Sequence, residues 1–188
     1  MSKINYKKDD LISLILQAQS ADIRALEELI RRVQKHVYAM FYHLTEKKDD
    51  VSDLTQEALL RIAKSLVNLK EPKNFKAWLN QIITNLYYDY ARKNPEKFVE
   101  LSEEKFNEIK DKLGCEPGQK CLFSELERLV RSALMTLPKD LRITLVLREY
   151  EGLSYGDIAK ITNTAIGTVK SRISRARLKL QNELKEFI

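Results

Sequence analysis

From Thr168 to Leu180 the chain carries Lys170, Arg172, Arg175, Arg177 and Lys179 and no Asp or Glu. Val169, Ile173, Ala176 and Leu180 recur among them at spacings of four and three, so a helix here buries one side and offers cations on the other. Guanidinium forks pair with guanine edges and with phosphate, and ammonium groups with phosphate, so duplex DNA is the ligand this chemistry selects. A run of basic residues alone is as often a solvated face. Two neighbouring features favour DNA. Ser154 followed by Asp157 approximates a capping box that starts a helix near Tyr155 and carries it through Ile158 and Ala159 to Ile161. Asn163 then suits the left-handed break between two helices. Residues 155–180 are therefore expected to form a helix-turn-helix, with the second helix in the major groove and the first braced across the backbone.

A second group of polar residues lies earlier in the chain. In a helix expected over residues 52–65, Leu54, Ala58, Ile62 and Leu66 make an apolar stripe, while Asp53, Gln56, Glu57 and Arg61 project elsewhere. Asp53 has two readings at this stage: a cap that satisfies free amides at a helix start, or part of a docking surface. A helix expected over residues 75–92 sets Phe75, Leu79, Ile82, Ile83, Leu86 and Tyr90 on one face and Lys76, Asn80, Thr84, Tyr87, Tyr88 and Lys93 away from it. Amides, hydroxyls and rings interleaved with lysine suit unpaired bases, since aromatic stacking contributes about 1–3 kcal/mol per base. For any one tyrosine, packing with the hydroxyl at the surface explains it equally well.

The elements that must hold these groups read as all-α. Five Gly, four Pro and helical rather than alternating periodicity leave little room for strands. Residues 7–18 and 22–44 give two further amphipathic helices, the second with Ala25, Leu29, Val33, Val37 and Phe41 as one face. The expected architecture is two small helical domains, an N-terminal helical bundle (1–94) and a C-terminal helix-turn-helix (125–188), joined by a flexible acidic linker (95–124). Lys plus Arg against Asp plus Glu is 16 to 12 in the first, 5 to 7 in the linker and 12 to 8 in the last. The net charge of +6 over 188 residues is modest for a protein that grips nucleic acid alone, and suggests a larger partner.

Other classes find no support. The opening MSKINYKKDD has no apolar signal core, and no stretch approaches the roughly 20 apolar residues of a membrane span, so a cytoplasmic protein is expected. Cys115 and Cys121, in CEPGQKC, are too far apart for the compact pairing of a zinc ribbon and have no nearby His. Reduced thiols are the default there, and the spacing also permits a small redox-active disulfide loop. His36 and His43 sit seven apart and read as packing or surface residues. No nucleophile elbow, phosphate loop or carboxylate pair stands out, so no catalytic residue, metal or cofactor is expected.

Leu137-Pro138, Gly152-Leu153-Ser154, Ile158-Ala159, Gly167-Thr168-Val169-Lys170-Ser171-Arg172 and Arg175-Ala176-Arg177 resemble the C-terminal domain of bacterial sigma factors of the extracytoplasmic-function subclass. Asn163 stands where that family often has Gly, and Ala165 where it often has a Ser cap. Asp53-Leu54-Thr55-Gln56-Glu57, Phe75-Lys76-Ala77-Trp78-Leu79 and Asn85 with Asp89 and Arg92 are similar to the family's N-terminal domain, in the family's order. The resemblance implies a subunit that binds core RNA polymerase and directs promoter-specific initiation, with promoter DNA and an anti-sigma factor as its other partners. It implies minus-35 contacts at Thr168, Lys170, Ser171, Arg172, Arg175, Arg177 and Lys179. Minus-10 contacts would come from Asn74, Lys76, Trp78, Asn80, Thr84, Asn85, Tyr87, Tyr88 and Arg92, with the loop 68–74 capturing an extruded base. Core polymerase would dock on Asp50, Asp53, Gln56 and Glu57. The alternative is a stand-alone helix-turn-helix regulator whose N-terminal helices dimerise or sense a ligand.

Overall fold

Apolar positions repeating at threes and fours become α-helices in the computed structural model, which describes residues 8–98 and 123–185. The helices are α1 (Lys8–Gln19), α2 (Ile23–Leu44), α3 (Lys48–Ser65), α4 (Phe75–Lys93), α5 (Phe123–Met135), α6 (Lys139–Glu149), α7 (Tyr155–Thr162) and α8 (Ile166–Leu184). Three 3-10 turns, Leu66–Asn68, Pro72–Asn74 and Pro95–Phe98, flank α4. The described residues contain no strand, and no helix among them is long and apolar enough to cross a membrane.

The chain divides into two compact units, Met1–Tyr42 with Lys47–Tyr87, and His43–Glu46 with Tyr88–Ile188. The division passes through α4, between Tyr87 and Tyr88. Residues 99–122, most of the expected acidic linker, lie outside the described residues together with Cys115 and Cys121.

In the first unit α2 buries the expected stripe, with Leu29, Val33, Val37 and Phe41 removed from solvent. Fully burying a side chain of this size contributes about 1.5–3 kcal/mol, and that burial rather than helix propensity holds so polar a helix in place. Asp22 starts α2 by accepting the Ala25 N–H on its carboxylate at 3.1 Å. At the other end of the preceding turn, the Gln19 side chain reaches the loop between α3 and α4, where it donates to the carbonyls of Leu66 and Leu69.

In the second unit, Leu129 and Ala133 of α5 pack with Leu184 near the end of α8, joined by Val130 and Leu180. α8 also lies against α6 and α7. Arg142 of α6 is buried and donates to the carbonyls of Met135, at 2.7 Å, and Leu137, at 3.0 Å. A buried guanidinium is tolerated only when such acceptors replace water, so Arg142 both requires and fixes the turn between α5 and α6.

Candidate nucleic-acid interface

The turn that aims the basic helix is built as the sequence suggests. Ser154 is the N-cap of α7: its Oγ accepts the Asp157 N–H at 3.1 Å and donates to the Asp157 carboxylate at 2.6 Å. Such a cap contributes about 1 kcal/mol. Gly152, at φ +65°, takes the left-handed conformation just before it. Arg148 holds the same loop, donating to the Leu153 carbonyl at 2.7 Å with its guanidinium over the Tyr155 ring. Asn163 ends α7 at φ 50°, ψ 49°, and the Thr164 N–H returns to the Ala159 carbonyl at 2.9 Å. Asn is one of the few residues that adopts this conformation at low cost, so the departure from Gly leaves the break intact. Ala165 precedes α8 with no side-chain cap, which leaves the first amides of the helix without that partner.

α8 buries Val169, Ile173 and Ala176 and exposes Lys170, Ser171, Arg175 and Arg177, so these four expected DNA contacts reach solvent. Thr168 and Lys179 are half-buried at the edges. Arg177 is paired, its Nη2 donating to Glu149 at 2.6 Å. Arg172 departs most from expectation. Its side chain is only 19 % exposed and its Nη2 meets Asp140 of α6 at 3.1 Å, so it lies on the flank of α8 and not on the outward side. The centre of the outward side is Gly167, Ser171, Ser174 and Leu178, all exposed, spaced by four, three and four opposite the buried stripe. Ser174 is absent from the contacts expected from sequence because it carries no charge, although its spacing of three from Ser171 sets it on the same side.

α4 corrects the sequence reading of its faces. Phe75, Leu79, Ile83 and Leu86 are buried as expected, but Asn80, Thr84 and Tyr87, expected on the polar face, are also fully buried. At 3.6 residues per turn these three form a second stripe beside the first, and together the two fill about half the helix circumference. Asn80 donates to the Lys76 carbonyl at 3.0 Å, while the Thr84 hydroxyl has no hydrogen-bond partner among the described residues. The sequence misled because amides and hydroxyls buried along the helix look identical to exposed ones in a periodicity count. The surface arc retains Asn85 and Arg92, exposed, and Trp78, half-buried, with Asn74 and Lys76 exposed at its start. Gln81 lies on the same arc and donates to Asn85 at 2.9 Å. Arg92 pairs with Asp89, and the Trp78 ring lies 5.6 Å from that of Phe75. Tyr88 is half-buried, and its hydroxyl hydrogen-bonds with Asp140 and Arg172; burial, with the Asp140 charge beside it, pushes it up to about 12 and keeps it a neutral donor.

α3 begins at Lys48, so the acids of its first turn are Asp49 and Asp50, and Asp53 is one turn too deep to be its cap. Asp53, Gln56 and Glu57 are exposed and Asp50 is half-buried. Leu60 and Lys64 continue that exposed stripe, and Leu60 is 55 % exposed. The described residues contain no cluster of His, Cys, Asp and Glu that could hold a metal ion.

Residues 29–95 match the family model described as Sigma-70 region 2, and residues 127–180 the one described as Sigma-70, region 4. The chain is 31% identical over 182 residues to the ECF RNA polymerase sigma-E factor of Haemophilus influenzae, a match that covers 94% of this chain and 96% of that one. The chain belongs to the extracytoplasmic-function sigma factors. It is also 34% identical over 160 residues to the ECF RNA polymerase sigma factor SigE of Mycolicibacterium smegmatis, covering 84% of this chain but only 61% of that protein's length. A crystal structure of the sigma factor RpoE in complex with the anti-sigma factor NepR, from Bartonella quintana, shares 30% identity and a TM-score of 0.63 over 87% of this chain and 98% of that one. Membership decides between the two functional readings of the sequence: this is a promoter-directing sigma factor and not a stand-alone regulator.

Proposed function

We propose that this sigma factor docks on core RNA polymerase through the exposed stripe of α3, reads the minus-35 element with α8, and holds unpaired minus-10 bases on the surface arc of α4. The observation that carries the reading is the two-sidedness of α8: Val169, Ile173 and Ala176 are buried while Lys170, Ser171, Ser174 and Arg175 are exposed together behind a well-formed helix-turn-helix. In this reading Arg175 and Lys170 meet base edges near the helix start, with Ser171 and Ser174 close enough for short contacts. Thr168, Arg177 and Lys179 contact phosphate and set the register.

On α4, Trp78 supplies a ring for stacking, and Asn74, Lys76, Gln81, Asn85 and Arg92 supply donors and acceptors for base edges and backbone. Asn80, Thr84 and Tyr87 act by packing. On α3, Asp53, Gln56 and Glu57 give the polar rim of a docking surface and Leu60 an apolar contact within it. Residues 1–94 and 125–188 are the two working halves and residues 95–124 the linker. The polymerase supplies the chemistry, so the sigma factor needs no catalytic residue or cofactor, and the protein works in the cytoplasm. An anti-sigma factor is its further partner, by analogy with the Bartonella protein.

The test is selection from a randomised minus-35 library by holoenzyme. Arg175→Ala is expected to relax preference at one or two positions, a discrimination of about 1–3 kcal/mol per lost bidentate contact. Identical selected sequences from wild type and the Arg175→Ala, Lys170→Ala double variant would remove α8 from base reading.

A further inference from the structure

Arg172 sits between Ser171 and Ile173 on the helix proposed to read DNA, yet its guanidinium is turned to the protein. Nη2 donates to Asp140 Oδ2 at 3.1 Å, from the first turn of α6, and the Tyr88 hydroxyl hydrogen-bonds to both partners. Its Nη1 is buried with no hydrogen-bond partner among the described residues. The side chain of Asp140 is 41 % exposed, so the pair opens to water on the carboxylate side. An arginine free to swing outward from this helix would reach phosphate, and phosphate contacts add affinity for every sequence alike.

We propose that Asp140 is a positioning residue for minus-35 recognition: it draws Arg172 off the DNA-facing side of α8 and cancels its charge, which raises the share of binding that depends on sequence. This rests on the reading of α8 as the minus-35 helix. Within it, Arg172 does not read bases. Tyr88 adds a neutral hydroxyl that bridges the two charges and fixes the direction of the guanidinium.

The experiment measures holoenzyme binding by fluorescence anisotropy to a promoter duplex and to the same duplex with a scrambled minus-35 element, each over a series of salt concentrations. Asp140→Asn is expected to steepen the plot of log affinity against log salt by about 0.9 on both duplexes, one phosphate contact's worth, and to narrow the ratio between them. Arg172→Ala alone should leave the slope where it was, and added to Asp140→Asn it should restore the wild-type slope. Asp140→Glu, which keeps the charge, should also keep the slope, separating charge withdrawal from damage to α6. The inference is overturned if Arg172→Ala alone flattens the slope by about 0.9, or if Asp140→Asn leaves slope and ratio unchanged. Arg175→Ala in the same series tells which layer failed. If it relaxes promoter preference while the Asp140 variants change nothing, only the role of Asp140 falls; if it too changes nothing, the reading of α8 falls with it.

Discussion

The Gln19 side-chain amide donates to the Leu69 carbonyl at 2.7 Å and also to that of Leu66 at 2.9 Å, so the end of α1 pins the loop that delivers Asn74 to the start of α4. Neutral hydrogen bonds contribute about 1 kcal/mol each, and leaving a part-buried acceptor unpaired costs about 1–3 kcal/mol. Gln19→Leu should therefore lower unfolding free energy by about 2 kcal/mol and weaken transcription from both a duplex promoter and one with a pre-melted minus-10 bubble. Chemical denaturation and run-off assays read the two effects. Lower stability with full activity on both templates would confine Gln19 to the fold.

Thr84 offers a contrast, because its hydroxyl is buried without a partner. Valine has nearly the same shape and no polar group to desolvate, so Thr84→Val should raise the unfolding free energy by about 1 kcal/mol and leave promoter opening unchanged. A selective loss of transcription with normal stability would show that Thr84 contacts DNA after all.

For docking, the exposed stripe of α3 makes a separable forecast. Asp53, Gln56, Glu57 and Leu60 bury little within the chain, so Leu60→Ala and the Asp53, Gln56, Glu57 triple alanine variant should keep their helicity and melting temperature. Each should lose affinity for core polymerase, with Leu60→Ala costing about 1–2 kcal/mol if it fills a desolvated contact. Equal affinity for wild type and the triple variant, measured by competition with a labelled sigma factor, would move the docking surface elsewhere.

His43 sets a pH dependence. It is buried and its ring lies 3.9 Å from that of Tyr150; burial, aided by the Arg131 charge, lowers it from 6.5 to about 4. Well above pH 6.5 neither the folded nor the unfolded state protonates it, and no stability is lost. As pH falls from 6.5 toward 4 the unfolded chain takes up a proton that the folded one refuses, so about 3 kcal/mol of stability drains away in that window and the loss then levels off. His43→Phe keeps an aromatic ring against Tyr150 and should flatten that part of the curve. Glu28, held at about 2 by hydrogen bonds from Arg31 and Arg32, acts only below about 4.5, at the acid edge of the window, and leaves the range from 6.5 to 4.5 clear. The same fall in the His43→Phe variant would assign it to other groups.

What the sequence discloses is set by what periodicity can see. The burial of Val33 and Val37 and of Val169 and Ile173 was legible because apolar spacing reports one buried face. So was the α7 cap, since Ser154 and Asp157 act on neighbours within one turn. Asn80, Thr84 and Tyr87 were misread because a helix buried over half its circumference places polar groups inside, and their residue types carry no mark of it. The pairing of Arg172 was not legible because its partner Asp140 lies 32 residues away, a contact that exists only once α6 and α8 are packed. Of the surface groups, exposed Ser174 and half-buried Gln81 were legible from spacing, although charged neighbours outweigh them in a reading by charge.

The most direct measurement is run-off transcription with purified core polymerase on a randomised promoter library, with the wild-type chain and with the Lys170→Ala, Arg175→Ala double variant. The account predicts transcripts that depend on the added chain, a shared minus-35 sequence among the templates recovered with wild type, and loss of that sequence, with the minus-10 sequence retained, in the double variant. An unchanged minus-35 sequence in the double variant would contradict it.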